Sequence, residues 1–142
     1  MTIPSQMSLH GFIAAAPQLN FTGNGVARFY ARVGVEHYRT EADGSFTQLE
    51  SSFHDLVCYR KTAERAYARF KVGDNFVASG YVHEYVLDRN GGTEAREEFV
   101  ARRIGHDTAR TKYDADRSPA RQPEPPVADL PSAPEPARVV GI

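Results

Sequence analysis

The sequence predicts an all-β domain, a small curved barrel of five strands with one short helix, followed by a tail without fixed structure. Three observations predict it. Apolar and polar residues alternate with a period of two, turn-forming Gly and Asn clusters separate the alternating stretches, and seven of the nine prolines crowd between Pro119 and Pro136. With 142 residues, 41% of them hydrophobic, the chain can bury one core but is short for two. The expected division is a folded domain over residues 1–113 and a disordered, proline-rich tail over 114–142.

The first strand is the apolar stretch at residues 9–16, and the Thr22-Gly23-Asn24-Gly25 cluster after it reads as a turn into the second. From Val26 the alternation is strict. Ala27, Phe29, Ala31, Val33 and Val35 make an apolar face, and Arg28, Tyr30, Arg32, Gly34 and Glu36 make the opposite, polar one. The polar, glycine-containing segment 39–50 reads as a loop. A third strand over residues 52–60 puts Phe53, Asp55, Val57 and Tyr59 on one face and His54, Leu56 and Cys58 on the other.

The period then becomes helical. Ala63, Ala66, Tyr67 and Phe70 fall on one face, Lys61, Glu64, Arg65, Arg69 and Lys71 surround it, and Gly73 is expected to stop the helix. Residues 76–87, rich in Val and Tyr, read as a fourth strand in which Gly80 marks a bulge or bend. Asn90-Gly91 is a hairpin signal leading to a fifth strand at about residues 97–104. Three strands, a helix and two more strands is the plan of the OB-fold barrel.

Charge narrows the function. The net charge is -1, and residues 114–142 hold five of the 18 acids and three of the 17 basic residues, which leaves 13 against 14 in the domain. No general attraction to a polyanion follows, so any nucleic-acid site must come from local arrangement. Cys58 is the only cysteine, which removes an internal disulfide or a cysteine-rich zinc site from consideration. No apolar stretch approaches the length needed to span a bilayer, and the opening residues lack the pattern of a secretory signal. The expectation is a soluble cytoplasmic protein.

OB barrels often bind single strands by offering aromatic rings to bases and cations to phosphates. The candidates are Arg28, Tyr30, Arg32, Tyr38, Phe53, Tyr59, Tyr81 and Tyr85, with Arg60 in the basic cluster Arg60, Lys61, Arg65 and Lys71. Arg28, Tyr30, Arg32 and Tyr38 share the polar face of the second strand. A solvated sheet face with cross-strand tyrosine packing accounts for them as well, and core packing is the alternative for the other aromatics. Catalysis finds no footing. His54 and Asp55 point to opposite faces, His54 and Cys58 lie about 13 Å apart at a strand's rise, and no phosphate-cradling loop or nucleophile elbow is present. No cofactor is expected.

With these elements in view, residues 7–113 resemble the bacterial and phage single-stranded DNA-binding proteins. The specific block is Phe53-His54-Asp55-Leu56-Val57-Cys58-Tyr59, then residues 61–64, Lys71-Val72-Gly73-Asp74 and Gly80; Gly11, Pro17 and the Gly23–Gly25 turn add to it. The resemblance implies that Phe53 and Tyr59 stack on bases, that Tyr38 lies near a third stacking position, and that His54 makes subunit contacts in a homotetramer of single barrels. It implies coating of single-stranded DNA in replication, recombination or repair. The departures are specific: there is no tryptophan, Leu87 takes the place of one stacking residue, and the apolar end of the chain lacks the family's acidic run and carries Arg138 instead. Recruitment of replication or repair proteins by that tail is therefore unsupported, and an accessory, plasmid or phage member fits better. A protein-interaction module, an OB barrel serving as a replisome adaptor, is the alternative function.

Overall fold

In the computed structural model the described residues are 2–117. Six strands and a helix follow in the order β1 (Met7–Ile13), β2 (Gln18–Phe21), β3 (Ala27–Thr40), β4 (Phe46–Tyr59), α1 (Arg60–Arg69), β5 (Asn75–Arg89) and β6 (Gly92–His106), with a 3-10 turn at Thr108–Arg110. Five of the strands close a barrel in the circuit β1-β5-β6-β4-β3, sealed where Phe12 and Ile13 of β1 pair with Gly34 and Val33 of β3. All pairings are antiparallel except β4–β6. The short β2 lies outside the circuit against β3. Closure removes most of the unpaired edge that an open sheet would expose.

The alternation of β3 sets the inside of the barrel. Ala27, Phe29, Ala31 and Val33 are buried together with Leu56, Cys58, Phe76, Ala78, Phe99 and Ala101. Helix α1 closes one end by adding Ala63, Ala66 and Phe70 to this core, and the Phe70 ring stacks on His106 at 4.2 Å. At Gly80 the expected irregularity is present. The register shifts between Ser79 and Gly80, and a Cβ there would meet the Val100 carbonyl oxygen at 1.9 Å, so the two strands can approach only at a glycine. The Asn90-Gly91 turn joins β5 to β6, whose ladder closes at Arg89 opposite Gly92.

The barrel is the expected class, with differences at the margins. Segment 39–50, read as a loop, is mostly the outer half of a long hairpin whose turn is 41–45, with Tyr38 opposite Gln48 and Thr40 opposite Phe46. These arms are largely exposed, so no apolar alternation reveals them and backbone pairing alone defines them. Arg60 begins the helix instead of ending a strand. The helix ends at Arg69, because Phe70 adopts extended backbone and turns into the core; Gly73 belongs to the next turn, where its N–H donates to the Ile13 carbonyl. Tyr67 is exposed, not part of the buried face. Residues 114–117 have no regular secondary structure, and the remainder of the expected disordered tail lies outside the described residues.

Candidate nucleic-acid interface

Residues directly opposite on paired strands share a face, so the register defines the outer surface of the barrel. Across β3 and β4, Arg28 faces Tyr59, Tyr30 faces Val57, Arg32 faces Asp55 and Gly34 faces Phe53. Across β6 and β5, Val100, Glu98 and Arg96 face Tyr81, His83 and Tyr85. Val57 pairs with Val100 and joins the two halves. The result is one continuous outer face on four strands.

Two carboxylates anchor its centre. Asp55 is only 8% exposed and Glu98 9%. The Tyr30 hydroxyl and Arg32 Nη1 both donate to Asp55 Oδ1 at 2.8 Å, and Arg96 approaches Oδ2 at 3.8 Å. Glu98 takes His83 at 3.0 Å and Arg28 at 3.5 Å. Burial alone pushes the Asp55 carboxyl up, but the Tyr30 and Arg32 hydrogen bonds and the charges of Arg32 and Arg96 outweigh it and hold the group below its ordinary value. Burial and the same hydrogen bond push the Tyr30 hydroxyl up, so it stays a donor. The centre is thus a closed network of paired charge.

Aromatic rings line the rim. Phe53 is 48% exposed and meets the Phe12 ring edge-on at 6.4 Å. Phe12 can lie across β3 because Gly34 has no side chain; a Cβ there would stand 2.3 Å from the ring. Beyond Phe53 the same face runs onto the hairpin, where Tyr38 is 52% exposed and Phe46, two cross-strand pairs further on, 70%. The Tyr38 hydroxyl donates to Glu36, which raises its pKa and ties the ring's polar end down. At the other end Tyr59 sits about 20 Å from Phe53 along β4. Exposed apolar rings beside charge are suited to stacking on bases, which offer a π-face whatever their identity.

The sequence matches the single-strand binding protein family over residues 4–107. The chain belongs to that family. Among solved structures, the small single-stranded DNA-binding protein from Streptomyces coelicolor is similar at 24% identity and a TM-score of 0.62, covering 76% of this chain and 100% of that one. A deletion mutant of the single-stranded DNA binding protein from Thermus aquaticus matches at 17% identity and a TM-score of 0.61, over 72% of this chain and 50% of that one. At these identities the likeness establishes the shared fold. No curated protein sequence matches the chain.

For this family member, the register brings Arg28, Tyr30, Arg32, Phe53, Tyr59 and Tyr85 onto the one outer face, with Tyr38 on its extension. Tyr85 stacks on His83 at 5.6 Å, and Tyr81 lies under the Arg102 guanidinium at 5.2 Å. Arg60 stands apart, at the start of α1 with a left-handed φ of 63°. His54 is on the opposite side of β4 from Asp55, half-buried, within 2.7 Å of Ser52 Oγ, which His37 also contacts at 2.7 Å. Cys58 is buried and its thiol is pushed up to about 12 by desolvation, which leaves it unreactive. Among the described residues no three His, Cys, Asp or Glu side chains are grouped to hold a metal ion.

Sequence reasoning missed Phe12, Phe46, Arg96 and Glu98. Phe46 was hidden by the loop reading. Arg96 and Glu98 join the site only through the parallel β4–β6 pairing, a contact between distant segments that no local period encodes.

Proposed function

We propose that this chain binds single-stranded DNA by stacking bases on Tyr38, Phe53 and Tyr59, and acts as a coating protein without turnover in replication, recombination or repair. One observation carries the reading: half-exposed aromatic rings lie on one continuous barrel face in a member of the single-strand binding protein family. Both structural neighbours are described as single-stranded DNA-binding proteins, which supports the same ligand. Titration with an oligo(dT) of several tens of nucleotides should show saturable binding that the triple change Tyr38→Ala, Phe53→Ala, Tyr59→Ala abolishes; absence of binding by the unaltered protein at low salt would sink the reading.

Assembly into a homotetramer belongs to the same proposal. Each chain has one barrel, and residues 7–11 of β1 pair with β5 alone, which leaves their other edge available to a second copy. His54, with its Ser52 and His37 neighbours, is the proposed subunit-contact residue. Sedimentation of the full chain with and without oligo(dT) tests this. The proposed location is the cytoplasm, on the nucleoid.

A second reading has a specific observation in its favour. Arg28, Arg32 and Arg96 are all engaged by Asp55 and Glu98, so the face is close to neutral and suits a protein partner. In that case the triple alanine variant would lose a protein partner while its DNA affinity stays unchanged.

A further inference from the structure

The two faces of the β5–β6 hairpin use their charges differently. On the face that carries Tyr85, Glu94 is held between Arg89 and Arg96, and Glu98 takes His83 and Arg28. On the other face the register sets Val82 opposite Phe99, Glu84 opposite Glu97, Val86 opposite Ala95 and Asp88 opposite Thr93. Phe99 belongs to the core, so this second face is the inside of the barrel running out into solvent. Val82 and Val86 are 42% and 64% exposed, and among the described residues Glu84, Glu97 and Asp88 make no ion pair. Acids directly opposite on antiparallel strands repel. An apolar strip crossed by two opposed carboxylates is left uncovered.

A surface of complementary kind lies at the other end of the same two strands. Arg65 and Arg69 stand about one turn apart on the exposed side of α1 with the exposed Ala68 beside them, and among the described residues neither arginine makes an ion pair. Helix Cβ atoms at this spacing are about 5–6 Å apart and directly opposed strand Cβ atoms about 4.5–5.5 Å, so two guanidinium groups match two carboxylates. Val82 and Val86 would cover Ala68 and the methylene stems of the arginines. Phe70, just past the end of α1, stacks on His106, which is paired with Phe76 at the start of β5. Glu84 lies about 27 Å further along that strand at a strand's rise. The two surfaces are too far apart to meet within one chain. The hairpin face also extends past β1, which pairs with β5 only over residues 75–80, so it is clear of the edge proposed for tetramer assembly.

We propose that the exposed face formed by Val82, Glu84, Val86 and Glu97 docks on Arg65, Ala68 and Arg69 of a second copy of this chain. The two patches differ, so the contact is heterologous and repeats head to tail in an open row instead of closing on itself. Copies that share one single strand are at high effective concentration, which lets a weak contact of this kind line them up side by side. That alignment rests on the single-strand reading, whereas the contact between copies does not.

Charge exchange tests the pairing. The full chain is compared with a hairpin reversal (Glu84→Arg, Glu97→Arg), a helix reversal (Arg65→Glu, Arg69→Glu) and the four substitutions combined. All four side chains are exposed, so the variants should fold as the parent does, and a urea midpoint checks this. Each protein is titrated with a short oligo(dT) and with a long poly(dT), and the nearest-neighbour cooperativity on the long strand is the readout. The parent should load the long strand in clusters at low salt, each reversal should lower the cooperativity about tenfold while the short oligomer is still bound, and the combined variant should regain it. Unchanged cooperativity in either reversal, failure of the folded combined variant to regain it, or no clustering by a parent that binds DNA would overturn the contact. No binding of either DNA by the parent would overturn the single-strand reading instead. The contact is then decided in the free protein by concentration-dependent sedimentation at low salt, which each reversal should remove and the combined variant restore; a parent that shows no such association would overturn the contact as well.

Discussion

The centre of the outer face and the hairpin that projects from it share strands β3 and β4 but are held in different ways. In the centre, Asp55 and Glu98 gather five partners and the side chains are fixed before any ligand arrives. Along the outer hairpin, Tyr38 and Phe46 rest on backbone pairing and a few polar links among exposed side chains, including Arg39 to Glu41 and Thr47 to Glu41. The difference teaches that exposure of a residue type does not by itself define a contact. The arginines and Tyr30 at the centre are engaged by carboxylates, while the rings at its margin are exposed.

The largest effect should come from breaking the centre. Asp55→Asn removes the charge that pairs with Arg32 and Arg96, and should destabilise the fold by about 2–3 kcal/mol, below the usual cost for a buried pair because Arg32 is partly solvated. A shift of the urea midpoint at unchanged m-value checks it. The same change frees Arg32, so DNA affinity should rise as stability falls. An affinity that falls in step would show that the paired geometry itself contacts the strand.

Next is Phe53→Ala. Loss of one stacking ring should cost about 1–3 kcal/mol of binding, read by titration, with a smaller loss of stability because the ring is half-exposed. Arg60→Gly should act in opposite directions: relief of the left-handed strain stabilises by about 0.5–1 kcal/mol while oligo(dT) binding weakens. Phe46→Ser, at the exposed hairpin, should change stability by less than about 0.5 kcal/mol and still weaken binding.

Acid should weaken the centre. The Asp55 carboxyl is held below its ordinary value in the folded state, so its contribution is complete at neutral pH and is lost as pH falls from about 4 through the lowered value. Stability should be flat from pH 7 to about 5 and then decline, and Asp55→Asn should remove part of that decline.

Much of this organisation was legible in the chain. The strict alternation at Ala27, Phe29, Ala31 and Val33 located the core strand and its polar face, because burial on one side leaves a period of two. Asn90-Gly91 and Gly80 announced a turn and a bulge for local steric reasons. The hairpin at Phe46 was not legible, since arms exposed on both sides leave no such period. Nor was the pairing of Arg28 and Arg32 with acids, because Glu98 reaches the site from the other end of the chain. The residue types that bind phosphates and those that close a charged network are the same, and only the register distinguishes them.

Amide hydrogen exchange on the full chain, with and without saturating oligo(dT), tests the division of labour most directly. New protection is expected in the hairpin residues 36–50, with little change at residues 55–58 and 98–101, whose amides are already protected in the closed sheet. Protection gained at the centre alone, with the hairpin unchanged, would contradict the division between centre and hairpin.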